Sequence, residues 1–344
     1  MTAYVVRRLM IMPLILFGVT ILIFTMLTQL SATQRAALYV ADVPKKPADL
    51  QRLIDQYGLD DPVPQQYVRW LGNVAKGDLG FSKTGKEPVA DLIWRLLPAT
   101  LELALWSALP IIFIGVRLGV LSALQHNKLP DHIMRIFSIV GTSTPSFVAG
   151  LLLLMVFSAR LGILPTGERL TPDNIGIVDD PEQWLSVTRM YTVDALINLR
   201  FDIFWDALKH LILPVITLSY INWAILLRVM RSSMLETMRQ DYVRTARSKG
   251  LDYTTVIQKH ARPNALLPII TLGGGLLIGL MNGVAITETV FNYPGLGKRF
   301  VSAASNLDIV TVLGFTLFNG SVLIVGNLIV DVLYATVDPR VRLN

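Results

Sequence analysis

The 344-residue chain contains no cysteine. That excludes disulfides, thiolate metal sites, cysteine nucleophiles and cysteine-held iron–sulfur clusters. Charge is also scarce. Asp, Glu, Lys and Arg make up 16% of residues, against about 25% in an ordinary soluble domain. Neither a soluble enzyme nor a disordered chain fits that deficit. The four histidines, His126, His132, His210 and His260, show no metal-ligand spacing and no His-Glu-x-x-His pair. The net charge of +6 would suit a nucleic-acid binder, but 52% hydrophobic residues point instead to a basic membrane protein.

Long uncharged runs are what the chain has in abundance. Residues 9–34, 136–159, 210–227, 263–287 and 309–330 carry no Asp, Glu, Lys or Arg. Residues 96–125 are interrupted only by Glu102 and Arg117. A bilayer core of about 30 Å needs roughly 20 helical residues, so the pattern predicts six transmembrane helices in an all-α membrane protein. Barrel strands would alternate over segments of about ten residues instead. The first run is longer than a signal-peptide core of about 7–15 residues, and it is followed by a poor cleavage site, so it is expected to stay as helix 1.

Lysine and arginine in the short loops orient the spans. Arg7 and Arg8 precede helix 1, Lys128 and Arg135 flank the connection between helices 2 and 3, and Arg340 and Arg342 lie near the end. Between helices 4 and 5, Arg228, Arg231, Arg239, Arg244, Arg247, Lys249, Lys259 and Arg262 face only Glu236, Asp241 and Asp252. Residues 160–206 carry four basic and eight acidic residues. Both termini and the basic loop are therefore expected in the cytoplasm.

Two external segments follow from that orientation. In the first, Pro47–Tyr57 reads as a short helix stopped by Gly58, residues 58–64 as a turn, and Gln65–Val74 as an amphipathic helix. The second, residues 161–205, is expected to cap helices 3 and 4. In the basic loop, residues 233–249 read as a helix, Gly250 as its left-handed stop, and Asp252 as the cap of a second helix from Tyr253. Such a helix pair could fill a groove on a soluble partner, or serve as a solvated or lipid-contacting positive loop.

The residues of that loop carry a resemblance. Asp241-Tyr242-Val243-Arg244-Thr245-Ala246-Arg247-Ser248-Lys249-Gly250-Leu251, followed by His260-Ala261-Arg262-Pro263, resembles the loop motif of ABC-importer permeases. Ala246, Gly250 and Pro263 match the common form. Arg244 and Thr245 stand where it has glutamate and alanine, as in the variant of the dipeptide/oligopeptide branch. Gly58-Leu59-Asp60-Asp61-Pro62, Gly77-Asp78-Leu79-Gly80, Leu97-Pro98-Ala99-Thr100-Leu101-Glu102-Leu103, Thr144-Pro145-Ser146-Phe147 and Leu164-Pro165-Thr166-Gly167 are similar to further motifs of that branch's first permease subunit. So are Glu288-Thr289-Val290-Phe291-x-Tyr293-Pro294-Gly295-Leu296-Gly297 and Asp338-Pro339-Arg340.

The resemblance implies a type I importer permease with six transmembrane helices in a prokaryotic cell membrane. Its parts would be a first helix over 1–30, an extracytoplasmic subdomain over 31–93, a core over 94–336 with a coupling loop near 231–262, and a tail over 337–344. A homologous second permease, two ABC ATPase domains and an external solute-binding protein would be its partners. The chain has no Gly-x-x-x-x-Gly-Lys-Ser/Thr phosphate loop, so ATP and magnesium would be held by the ATPases and no cofactor by this chain. The implied coupling residues are Arg244, Thr245, Ala246, Lys249, Gly250 and Leu251. Candidates for the pathway or its gate are Glu102 and Glu288, as intramembrane acids, and Gly275, Gly279 and Gly283, as a small-residue helix face. Substrates in this branch include di- and oligopeptides, nickel chelates, glutathione and oligosaccharides. A receptor or scaffold with a basic docking loop is the alternative class.

Overall fold

A computed structural model describes residues 2–36, 38–40, 46–281 and 284–337. Four of its helices are long and apolar enough to cross a bilayer alone, and two further pairs qualify only as bent units. Counting each pair once gives the six expected spans.

α1 (Thr2–Thr28) leads to α2 (Ala32–Ala36), α3 (Pro47–Tyr57) and α4 (Val63–Ala75). α3 ends where Gly58 takes φ +58°, as its sequence requires. Ile23, Phe24 and Leu27 of α1 bury against Trp70 of α4 and against Leu313 and Leu317 of the last helix. Most other apolar side chains of α1 are exposed. A short hairpin, β1 (Phe81–Ser82) with β2 (Glu87–Pro88), closes the segment that follows α1.

α5 (Val89–Leu124) and α10 (Phe201–Thr237) form the spine. At 1.5 Å per residue each is about 55 Å long, well beyond a hydrocarbon core. Their close approach is built on glycine. A Cβ on Gly115 would lie 2.8 Å from Leu226 Cβ, and one on Gly119 would lie 2.5 Å from Met230 Cβ. This pair, four residues apart, makes a small-xxx-small contact between the two helices.

Between the two spine helices lie α6 (Leu129–Ser143), α7 (Ser146–Leu153) with a π-helical extension to Arg160, α8 (Pro172–Val178) and α9 (Tyr191–Ile197). The uninterrupted helix expected over 136–159 is corrected here. The chain bends by 102° between α6 and α7. Pro145 lacks the amide that would continue α6 and keeps Thr144 extended, at φ −87° and ψ 121°. The segment over 161–205 packs on α10, as expected, and is also fastened to α5.

Beyond α10 come α11 (Asp241–Ser248), α12 (Tyr253–Thr255), a π-helical stretch Val256–Ala261, α13 (Arg262–Ala265) and α14 (Leu267–Met281). The last pair bends by 48° before α14. The single helix expected over 233–249 is also corrected. α10 runs on to Thr237, and the chain turns through Met238–Gln240 before α11. The turn buries Val243 and Ala246 against Met230, Met234, Val256 and Ile257. α15 (Ala285–Val290), α16 (Leu296–Ser305) and α17 (Ile309–Val337) complete the fold.

Candidate functional site

α11 has two faces. Val243 and Ala246 point into the core and are buried, while Arg244, Thr245, Arg247 and Lys249 are exposed. Gly250 ends the segment at φ +78°, with open space around its Cα. Leu251 is exposed, and Asp252 caps α12, accepting the Thr255 amide at 2.9 Å. Hydrogen bonding from the Thr255 side chain and amide holds the Asp252 carboxyl below the usual carboxylate range. The result is a basic ledge, packed on the spine on one side and open on the other.

A buried ion pair anchors the root of this ledge. Asp131 accepts from Arg231 Nε at 2.6 Å and Nη2 at 2.8 Å, and from the Asn127 amide at 3.0 Å. It ties the start of α6 to α10.

The opposite end of the spine carries a second network. Glu102 is 2% exposed. Its Oε1 accepts from the Thr192 amide and hydroxyl, both at 2.7 Å, and its Oε2 from Arg169 Nη2 at 2.7 Å and the Tyr293 hydroxyl at 3.2 Å. The Arg169 guanidinium lies 3.8 Å from the centre of the Tyr191 ring. Burial, with Glu102 adding to it, pushes the Tyr293 phenol well above its ordinary pKa and keeps it a donor. Glu288 is fully buried as well. It accepts from Thr100 Oγ1 at 2.9 Å and from the Lys298 amide at 2.8 Å. The Thr100 hydroxyl also accepts the Leu296 amide at 2.8 Å, so Glu288 and Thr100 together cap α16. A Cβ on Gly167 would collide with the Phe291 carbonyl, which explains glycine there.

The glycine candidates divide. Gly275 and Gly279 are exposed on α14, and a Cβ at either would have nothing within 4 Å, whereas Gly274 faces Val330 of α17. Gly283 lies outside the described residues, as does the Asp338-Pro339-Arg340 motif. No group of three or more His, Cys, Asp or Glu suited to a metal occurs among the described residues.

Residues 115–343 match the family described as binding-protein-dependent transport system inner membrane component, and residues 1–104 match the family of its N-terminal part. The chain belongs to this family. It is 38% identical over 343 residues to the oligopeptide transport system permease protein AppB of Bacillus subtilis (strain 168), covering 99% of this chain and 100% of that one. It is 40% identical over 298 residues to the probable D,D-dipeptide transport system permease protein DdpB of Escherichia coli (strain K12), covering 86% and 84%. It is 34% identical over 342 residues to the dipeptide transport system permease protein DppB of the same organism, covering 99% of each. A solved structure titled as inward-facing conformations of the MetNI methionine ABC transporter aligns with TM-score 0.47 and 16% identity, over 72% of this chain and 96% of that one.

The family's motifs acquire physical content in this permease. At the end of the spine away from α11, residues 97–103, 164–167 and 288–297 all meet in the network around Glu102, Thr100 and Glu288. Arg169, Thr192 and Asp131 are not legible as site residues in the sequence, because a buried ion pair between distant residues leaves no local spacing. Arg169 does stand two residues beyond the Leu164–Gly167 motif, the one signal that points at it.

Proposed function

We propose that this permease is the first of two homologous subunits that together line the pathway of an importer for di- and oligopeptides. The naming of several relatives for such substrates supports that class. Both termini and the α11 ledge lie in the cytoplasm in this reading, supported by the concentration of Lys and Arg at that end. A solute-binding protein delivers substrate from outside, and two ABC ATPase domains, which hold ATP and magnesium, dock on the ledge.

The two-faced α11 carries the reading. Its buried face transmits displacement to α10, and its exposed Arg244, Thr245, Lys249 and Leu251 meet the ATPase groove. Ala246 sets the close packing, and Gly250 turns the chain away. Closure of the ATPase pair would draw the two ledges together and open the pathway outward. Gly275 and Gly279 give α14 a smooth face against the second permease. Glu102 and Glu288 serve the gate by fixing the outer segments to α5.

The test is a Gly250→Trp variant in the assembled transporter. It is expected to insert and assemble, to hydrolyse ATP, and to lose at least about tenfold of its uptake per ATP, as a bulky left-handed residue displaces the docking edge. Unchanged coupled uptake overturns the assignment. Peptide, oligosaccharide, nickel-chelate and glutathione binding to the cognate binding protein, measured calorimetrically, decides the substrate class.

A further inference from the structure

A pocket of about 200 Å³ opens between α6 and α10, lined by Arg135, Ser138, Ile139, Leu227, Arg228 and Arg231. Its three guanidinium groups are unequally neutralised. Arg231 is committed to Asp131. Arg228 donates to the Thr142 hydroxyl at 3.1 Å, which carries no charge. Among the described residues, neither Arg135 nor Arg228 has a carboxylate within ion-pair distance. Both are exposed. The pocket therefore presents two uncompensated cations beside the apolar Ile139 and Leu227.

The surface running from it is apolar. Ile136, Ile139 and Val140 of α6 are 62%, 60% and 49% exposed. Phe137 meets Tyr220 edge-on at 5.1 Å and lies 6.0 Å from Trp223. Trp223 precedes Arg228 by five residues, so the rings lie about 7.5 Å deeper along α10. Cations at the end of a span, aromatic rings about 7.5 Å deeper and an open aliphatic ridge beyond match the headgroup, interface and acyl zones of a lipid. A soluble anion would satisfy the arginines and leave the ridge uncovered.

We propose that Arg135 and Arg228 bind the phosphodiester headgroup of an anionic phospholipid, with an acyl chain lying along Ile136, Ile139 and Val140. Basic pockets between transmembrane helices bind such headgroups. The site borders the Asp131–Arg231 pair, so an occupied pocket braces α6 against α10 at the root of the α11 ledge. That the lipid belongs to the cytoplasmic leaflet rests on the orientation proposed above, while the headgroup chemistry does not.

The experiment uses the intact complex, purified with its partner subunits and delipidated in mild detergent. Dioleoyl-phosphatidylglycerol or dioleoyl-phosphatidylcholine is titrated in, and bound lipid is counted by native mass spectrometry. Phosphatidylglycerol should be retained over phosphatidylcholine. Arg135→Gln and Arg228→Gln should each weaken its retention about fivefold, and the double variant about thirtyfold, with phosphatidylcholine unchanged. Equal retention by wild type and double variant overturns the proposal. So does displacement of the lipid by millimolar inorganic phosphate alone, which assigns a soluble anion. High-yield crosslinking of an Arg228→Cys variant to the second permease also overturns it, by placing protein over the pocket. Labelling of a Lys249→Cys variant from outside intact cells would instead overturn the orientation, and leave the lipid counts to report on the pocket.

Discussion

Glu102 shows how much one carboxylate can organise at the residue scale. It holds two donors from the α9 segment, one from Arg169 and one from Tyr293. Removing it leaves the Arg169 charge buried and unpaired, which costs about 3–5 kcal/mol. Glu102→Ala should therefore lower the melting temperature of the purified complex well beyond the effect of Glu102→Gln, which keeps one acceptor. Asp308 is a second such residue, just ahead of α17. Its Oδ2 accepts from the Thr84 amide and hydroxyl, both at 2.9 Å, from Ser82 Oγ at 3.1 Å and from Thr311 Oγ1 at 2.7 Å. Burial raises its pKa, and the Thr84 and Thr311 donors outweigh burial, so it rests below the ordinary carboxylate value. Its contribution is thus fully present above the unfolded value of about 3.9 and is lost as pH falls through the lower folded value. Melting temperature measured from about pH 6 down to about pH 3 should drop most steeply at the acid end in wild type. In Asp308→Asn it should start lower and vary less there.

At the scale of elements, the contact between α5 and α10 depends on Gly115 and Gly119, and the open face of α14 on Gly275 and Gly279. Gly119→Ala pushes a methyl against Met230 and the Leu227 carbonyl and should cost about 1–3 kcal/mol, read as loss of stability to chemical denaturation in detergent. Gly275→Ala meets nothing within the chain and should leave that stability within about 0.5 kcal/mol. In the sequence, 275, 279 and 283 stand out because three glycines fall in register. The pair at 115 and 119 is split by Val116, Arg117 and Leu118 and reads as ordinary. Which small-residue face meets a partner depends on the neighbour, and periodicity does not name the neighbour. By contrast, Gly58, Gly250 and Asp252 are legible, because a left-handed stop and an N-cap are properties of a few consecutive residues. The turn at Met238–Gln240 is not, since it exists to bury Val243 and Ala246 on side chains elsewhere.

At the scale of the whole molecule, uncharged runs are enough to count six spans, because the bilayer sets their length. They do not show that two of them are bent, at 102° and 48°. Pro145 and Pro268 mark the places, but a proline alone does not fix an angle. The excess of Lys and Arg around α11 predicts opposite sides of the membrane for Lys83, between α1 and α5, and Lys249, on the ledge. Single cysteines there should react with a membrane-impermeant maleimide only from outside and only after lysis, respectively. The bond from Ser82 to Asp308 joins residues 226 positions apart. During synthesis at roughly 5–20 residues per second, the hairpin between α1 and α5 waits about 10–45 s for this partner. A ribosome that stalls before the sixth span leaves the hairpin without Asp308, so the fold of this early segment is completed only when nearly the whole chain has been made.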